Sequence, residues 1–309
     1  TPLYSSAASD VYKRQTSELL NIGHDDAIAI KAPGRSPLSY AAIRSLSKRT
    51  QQSLSQAGIA KKDRVAIVLP NGPEMATAFV TISGASTTAP LNPAYRQEEF
   101  EFYLDDLKAK ALVVDAGSAS PAVAAAQKLG IPLINLVTDS SHAAGDFDLT
   151  FETTAPNASA SHDAVDENDI ALILHTSGTT SRPKIVPLSH INVTSSAENI
   201  MNTLSLVPGD RCLNIMPLFH IHGLIATVLS SLRAGASIYC TPGFNALKYF
   251  SWMDDSKPTW YSAVPTMHQA ILTRAARSKD IIDAVPLRFI RSSSSSLPPQ
   301  VMAELENTF

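Results

Sequence analysis

The chain has 309 residues, 44% of them hydrophobic, with 25 basic against 28 acidic side chains and a formal net charge of -3; this is enough apolar material for one large core or two medium ones. The charge balance leaves no basic surplus for a phosphodiester backbone, and no Lys/Arg run supplies one locally, which argues against nucleic acid as a partner. The longest apolar runs, such as 111–114 and 170–174, are strand-sized and far below the ~20 residues that span a bilayer.

Residues 1–15 have no amphipathic period and no apolar stretch ahead of a small-residue cleavage site, so they are expected to be a mobile leader or sequence foreign to the domain. From Ser39 a helical period (Ala42, Ile43, Leu46, Thr50, Leu54) precedes a strand-like run at 64–69, closed by Pro70-Asn71-Gly72. Then come helix 74–82 and a short strand at 89–91, helix 97–107 and strand 111–115, and helix 121–129 and strand 131–137. Such alternation predicts parallel strands with helices on both faces.

The stretch 138–168 turns rich in Ser, Ala, Asp, Thr and His and loses its period, which predicts a long connection. The series resumes with strand 170–175, a Ser/Thr/Gly loop, strand 184–188, and a helix from Ser189 capped by its hydroxyl. Strand 211–216, helix 221–233, strand 236–240, helix 246–255, strand 259–263, helix 265–278, strand 287–292 and a helix start at Pro298 complete it. The fold class is α/β, with two stacked α/β subdomains at 16–150 and 169–309 joined by a linker at 151–168. Cys212 and Cys240 lack metal-type spacing and are too few for a disulfide framework; they read as small apolar groups beside buried strands in a reducing compartment.

The segment richest in chemistry is His175-Thr176-Ser177-Gly178-Thr179-Thr180-Ser181-Arg182-Pro183-Lys184, set between two strands. A tight turn of small residues lets backbone N–H groups approach a phosphate, hydroxyls add donors, and Lys184 adds a point charge. It is not a Walker A loop, because no Gly-x-x-x-x-Gly-Lys-Ser/Thr pattern occurs and a strand follows. The same composition also suits a polar hairpin connection. No Gly-x-Ser-x-Gly elbow of a serine hydrolase is present.

This segment resembles the phosphate loop of the adenylate-forming (acyl-activating, AMP-binding) superfamily, Ser/Thr-Ser-Gly-Thr-Thr-Gly-x-Pro-Lys-Gly. It departs at Ser181 and Ile185, where the family usually has glycine; Ser181-Arg182 is similar to the oxalate-CoA ligase branch. Met216-Pro217-Leu218-Phe219-His220-Ile221-His222-Gly223-Leu224 resembles the family's Pro-Leu-Phe-His-x-x-Gly signature, with His222 again like the oxalate branch. Trp260 to His268 is similar to a strand-to-helix turn bordering the acyl pocket, with 264–266 toward the ligand, Trp260 in the core and His268 a weaker candidate. Pro90 to Tyr95 also resembles a family motif but reads as a turn without a catalytic part.

The run from Arg291 through Ser292, Ser293, Ser294, Ser295 and Ser296 to Leu297 resembles the Gly-Gly-Ala-Pro-Leu segment beside adenine and the acyl carboxylate, and more closely the oxalate branch's Arg-Ser-Cys-Ser-Ala-Ser-Leu.

The resemblance implies a two-step reaction on ATP, a small carboxylic acid and CoA, with Mg2+: adenylation of the carboxylate, then displacement of AMP by the CoA thiol. Thr176, Ser177, Gly178, Thr179, Thr180 and Lys184 would cradle phosphates, and His220 would gate the acyl pocket as the catalytic candidate. His220, His222, Ser294, Ser295 and Ser296 would contact nucleotide or substrate, with oxalate as the acid. Family segments that hold Mg2+, the ribose and the adenylation lysine find no match before Phe309. The expectation is therefore an N-terminal part of such an enzyme, truncated before the C-terminal domain and unable to complete adenylation alone. Location is expected to be cytoplasmic or peroxisomal. The alternatives are a ligase for a fatty, aryl or 4-coumarate-type acid, and a non-catalytic nucleotide-binding module.

Overall fold

The computed structural model describes residues 15–152, 164–176 and 183–309. Residues 1–14 of the expected leader, 153–163 of the expected linker, and Ser177, Gly178, Thr179 and Thr180 of the expected phosphate loop lie outside the described residues.

Thirteen strands run in chain order as β1 (Ile28–Lys31), β2 (Leu38–Ser39), β3 (Arg64–Val68), β4 (Thr87–Pro90), β5 (Ala111–Asp115), β6 (Leu133–Val137), β7 (Asp148–Phe151), β8 (Ile170–His175), β9 (Ile185–Ser189), β10 (Arg211–Asn214), β11 (Ser237–Cys240), β12 (Trp260–Ala263) and β13 (Phe289–Ser292) among the described residues. The α-helices are α1 (Tyr40–Gln56), α2 (Pro73–Ser83), α3 (Gln97–Leu107), α4 (Pro121–Leu129), α5 (His190–Leu204), α6 (Ser230–Arg233), α7 (Tyr249–Ser256), α8 (Pro265–Ala275), α9 (Lys279–Ala284) and α10 (Pro299–Thr308). A π-helical turn, His222–Leu229, leads into α6. None of these helices is long and apolar enough to cross a membrane.

One sheet has seven strands in the order β7-β6-β5-β3-β4-β8-β9, the other six in the order β13-β12-β10-β11-β1-β2. The inner pairs are parallel, as the βα alternation predicts, while β7, β9 and β2 add antiparallel edges. Alternate residues of a strand face opposite helical layers: Val65 and Ile67 join a central core, Ala66 and Val68 an outer one. The second sheet repeats this with Cys212 facing the centre and Leu213 facing the outer layer of α7 and α8. Strands buried on both faces read as continuous apolar runs, which is why 64–69 and 111–115 were legible.

The sheets cut across the expected division at 151–168. β8 and β9 lie beyond it yet complete the first sheet, while β1 and β2 precede it yet extend the second through β11. Pairing with β11 depends on a strand some two hundred residues downstream (Ile30 beside Ile238), a relation no local window contains. Part of the stretch expected to be mere connection also forms edge strand β7, antiparallel to β6. Its inner-facing side chains are only half-buried, so it lacks the apolar run that marks a central strand.

Serine caps hold two helix starts: Ser39 Oγ accepts from Ala42 N at 3.2 Å, and Ser189 Oγ from Asn192 N at 3.3 Å. Each satisfies a donor that the first helical turn leaves free, a contribution of about 1 kcal/mol. Cys212 and Cys240 are free and buried, and burial keeps both thiols protonated.

Candidate active site

Parallel register arranges the carboxyl end of the second sheet in rows. Cys212, Trp260 and Phe289 are partners across β10, β12 and β13; two residues on, Asn214, Ser262 and Arg291 occupy the next row on the same face. An apolar row thus lies beneath a polar one, at the end of the sheet where α/β folds bind ligands.

Above this row the chain leaves β10 through Met216 to His220. Asn71, from the Pro-Asn-Gly turn after β3 of the other sheet, accepts from Leu218 N at 2.8 Å and donates to the Thr241 carbonyl at 3.1 Å. That one amide joins the turn after β10 to the turn after β11. Gly223 is required by close approach: a Cβ there would lie 2.3 Å from the Pro217 carbonyl oxygen. This is the physical reason for the glycine of the Pro-Leu-Phe-His-x-x-Gly segment.

His222 opens the π-helical turn and is 5% exposed. Its Nδ1 lies 3.0 Å from Ser294 Oγ and its Nε2 2.6 Å from Ser262 Oγ. Arg291 Nη1 donates to the same Nε2 at 3.0 Å and to Ser262 Oγ at 3.1 Å. An arginine has only donors, so Nε2 must accept. The ring proton is therefore on Nδ1 and is donated to Ser294. Burial first, then the charges of Arg291, His268 and His220, lower the His222 pKa to about 4, which keeps the ring neutral at pH 7.

Ser294 has φ 74°, a left-handed conformation that costs a non-glycine residue about 1–2 kcal/mol. It is exposed, as are Ser295 and Ser296. His220 is exposed beside Phe219, ring centroids 4.5 Å apart, and partial burial lowers its pKa. His268 is fully buried behind this cluster, with its Nδ1 3.0 Å from Tyr261 Oη.

At the other sheet, the ends of the segment expected to bind phosphates are tied together. Thr176 N donates to the Lys184 carbonyl at 3.0 Å, and Lys184 N to Thr176 Oγ1 at 3.1 Å. These bonds continue the antiparallel pairing of β8 with β9. Both side chains are exposed. Among the described residues no hydrogen bond or ion pair joins Thr176 or Lys184 to the His222 cluster.

The structure thus brings His222 and Ser294 together, 72 residues apart, and adds two residues that the sequence reading did not assign, Ser262 and Arg291. The signal for them was present as a polar residue at the end of each of three strands, but it has meaning only once their register is known.

A match to the family AMP-binding enzyme spans residues 22–309. The chain is 40% identical over 289 residues to an oxalate-CoA ligase of Arabidopsis thaliana, covering 92% of this chain and 56% of that protein. With an oxalate-CoA ligase of Saccharomyces cerevisiae the identity is 36% over 270 residues, covering 81% and 49%. The chain therefore spans about half the length of these curated relatives. In fold it is similar to ATP-bound MatB from Rhodopseudomonas palustris, with TM-score 0.79, 24% identity, and coverage of 96% of this chain and 58% of that one.

Proposed function

The chain belongs to the AMP-binding enzyme family, and on that premise we propose that it serves an ATP-dependent acid-CoA ligase reaction on a short polar carboxylic acid, oxalate being the acid its donors suit. In the first step a carboxylate oxygen attacks the α-phosphorus of ATP and pyrophosphate leaves. In the second the CoA sulfur attacks the acyl carbon, its proton is lost and AMP leaves. Both reactants of the first step are anions, so the protein's task is to offset their repulsion.

Thr176, Ser177, Gly178, Thr179, Thr180 and Lys184 are assigned to the phosphates, as hydroxyl and backbone donors with one ammonium among them. An ionised carboxylate is already a nucleophile, so no general base is assigned. His220 is assigned to the border between nucleotide and acid, His222 and Ser294 to the acid, and Ser295 and Ser296 to nucleotide or acid contacts. Among the described residues no group of three or more His, Cys, Asp or Glu side chains is placed to hold a metal, so no residue is assigned to the Mg2+ that would accompany ATP.

The observation that carries this reading is the His222 to Ser294 bond of 3.0 Å. A neutral imidazole and a hydroxyl offer hydrogen bonds that suit a small polar acid, whereas a fatty acid calls for apolar walls. Calorimetric titration of the chain with ATP present should rank oxalate above acetate, octanoate and 4-coumarate. Tighter binding of octanoate or 4-coumarate than of oxalate would overturn the assignment. His222→Leu should weaken oxalate more than acetate; equal losses would count against its role.

A further inference from the structure

Arg291 is a half-buried cation with no anionic partner among the described residues. Among the described residues Arg35, Arg44, Arg49, Arg233 and Arg288 each pair with a carboxylate. No carboxylate pair is described for Arg64, Arg96, Arg211, Arg274 or Arg277 either; Arg96 stands at the start of α3 and Arg274 and Arg277 at or just after the end of α8. Arg64 and Arg211 donate to main-chain carbonyls, Leu107 and Ser256, at the amino ends of β3 and β10. Arg291 stands at the opposite, ligand-binding end, and its described partners are an imidazole nitrogen and the hydroxyls of Ser262 and Ser293. Burial lowers its pKa, and the one charge partner that works against this is the thiol of Cys212, which burial keeps protonated.

A guanidinium offers five N–H donors. Nη1 gives two bonds, to His222 and Ser262, and Nη2 gives one to Ser293 at 3.3 Å. The Nε hydrogen and one Nη2 hydrogen have no described partner, and two such donors are what a carboxylate takes in bidentate fashion. Ser294 stands close by through the shared His222: its Oγ accepts from Nδ1, so its own hydroxyl hydrogen is free to point outward. Even a half-buried charge whose described neighbours are all neutral carries a desolvation cost that an arriving anion would offset.

Resting on the ligase reading above, we propose that Arg291 is the specificity-determining residue of the acid site, binding the second carboxylate of a short dicarboxylate while the first reacts with ATP. His222 and Ser262 act as positioning residues that hold the guanidinium in place, and Ser294 adds a hydroxyl to the same anion.

The discriminating probe is oxamate, in which a neutral amide replaces one carboxylate of oxalate at nearly the same size. By calorimetry with ATP present, the unsubstituted chain should bind oxalate roughly 10- to 100-fold more tightly than oxamate, the range of a charge-assisted bidentate contact. Arg291→Gln should bring oxalate down to the level of oxamate and leave oxamate within about threefold. Arg291→Lys keeps the charge without the fork and should retain part of the preference, which covers the case in which the glutamine variant folds poorly. In addition, saturating oxalate should raise the His222 titration midpoint followed by NMR, because an anion on Arg291 cancels the charge that helps depress it; a purely structural arginine would leave that midpoint unmoved.

No preference for oxalate over oxamate in the unsubstituted chain, or equal losses for both in Arg291→Gln, overturns the role of Arg291 and leaves the ligase reading standing. Failure of ATP and every acid to bind the unsubstituted chain removes the ligase reading, and this inference with it.

Discussion

The two ends of the second sheet treat charge in opposite ways. At the amino end Asp210, 2% exposed, accepts from Arg288 Nη2 at 2.6 Å and Nε at 3.1 Å, from Thr259 Oγ1 at 2.7 Å and from Val207 N at 2.9 Å. At the carboxyl end, three residues after Arg288, Arg291 meets only neutral partners among the described residues. The first arrangement is complete without a ligand; every polar atom of the carboxylate has a donor and the arginine has its counter-charge. The second carries a surplus positive charge, a strained serine and a histidine held neutral, features that cost stability and are in keeping with the ligand role proposed above.

Substitutions at the two ends should therefore diverge. Asp210→Ala removes the acceptor of four donors and leaves Arg288 unpaired, and should cost about 3 kcal/mol in urea unfolding. The figure is held down because Arg288 is 40% exposed and water takes up part of its charge. A loss below 1 kcal/mol would mean the amino end is not the structural one. Gly223→Ala drives a methyl group against the Pro217 carbonyl at 2.3 Å, a main-chain atom that cannot swing away. About 2 kcal/mol should be lost, together with the placement of His222, read as reduced oxalate binding.

Acid should weaken the carboxyl end through His222. The unfolded ring takes its proton near pH 6.5 and the folded one near pH 4, so between those values the unfolded chain binds more protons. The contribution is fully present above pH 6.5 and is lost as pH falls toward 4, at no more than about 1.4 kcal/mol per unit. Stability of the unsubstituted chain and of His222→Asn at pH 7, 6 and 5 should show a shallower acid loss in the variant, and parallel curves would assign the loss to other groups.

Smaller effects follow from Ser294 and Arg291. Ser294→Ala and Ser294→Gly both lose the hydroxyl, but only glycine relieves the φ of 74°. The glycine variant should be the more stable by about 1 kcal/mol. Arg291→Met should change stability by less than about 1 kcal/mol in either direction, since loss of its three hydrogen bonds to neutral groups is offset by removal of a half-buried charge without a described counter-charge. A loss as large as that of Asp210→Ala would erase the contrast between the two ends.

Much of the fold was legible because strand and helix periods are local. The apolar runs at 65–68 and 111–114, the helix over Ile43, Leu46, Thr50 and Leu54, and the serine cap at Ser189 all lie where periodicity and capping chemistry place them. What escaped was short or half-exposed: β1 has four residues, β2 two, and β7 shows a mixed burial pattern. Their stability comes from partners rather than from their own composition. Of the candidate site, His222 and Ser294 were visible as members of unusual segments, whereas Ser262 and Arg291 looked like an ordinary strand residue and the head of a serine run.

By itself the sequence determined the α/β class, the order of most elements and the segments that resemble an adenylate-forming enzyme, since each depends on residues a few positions apart. Tertiary structure alone decided that β1 and β8 exchange sheets relative to chain order, and that Arg291 lies against His222 across 69 residues. Parallel register, specified by burial of the sheet faces, sets Ser262 beside Arg291, and the π-helical turn after β10 brings His222 against them, neither of which a local stretch of sequence contains.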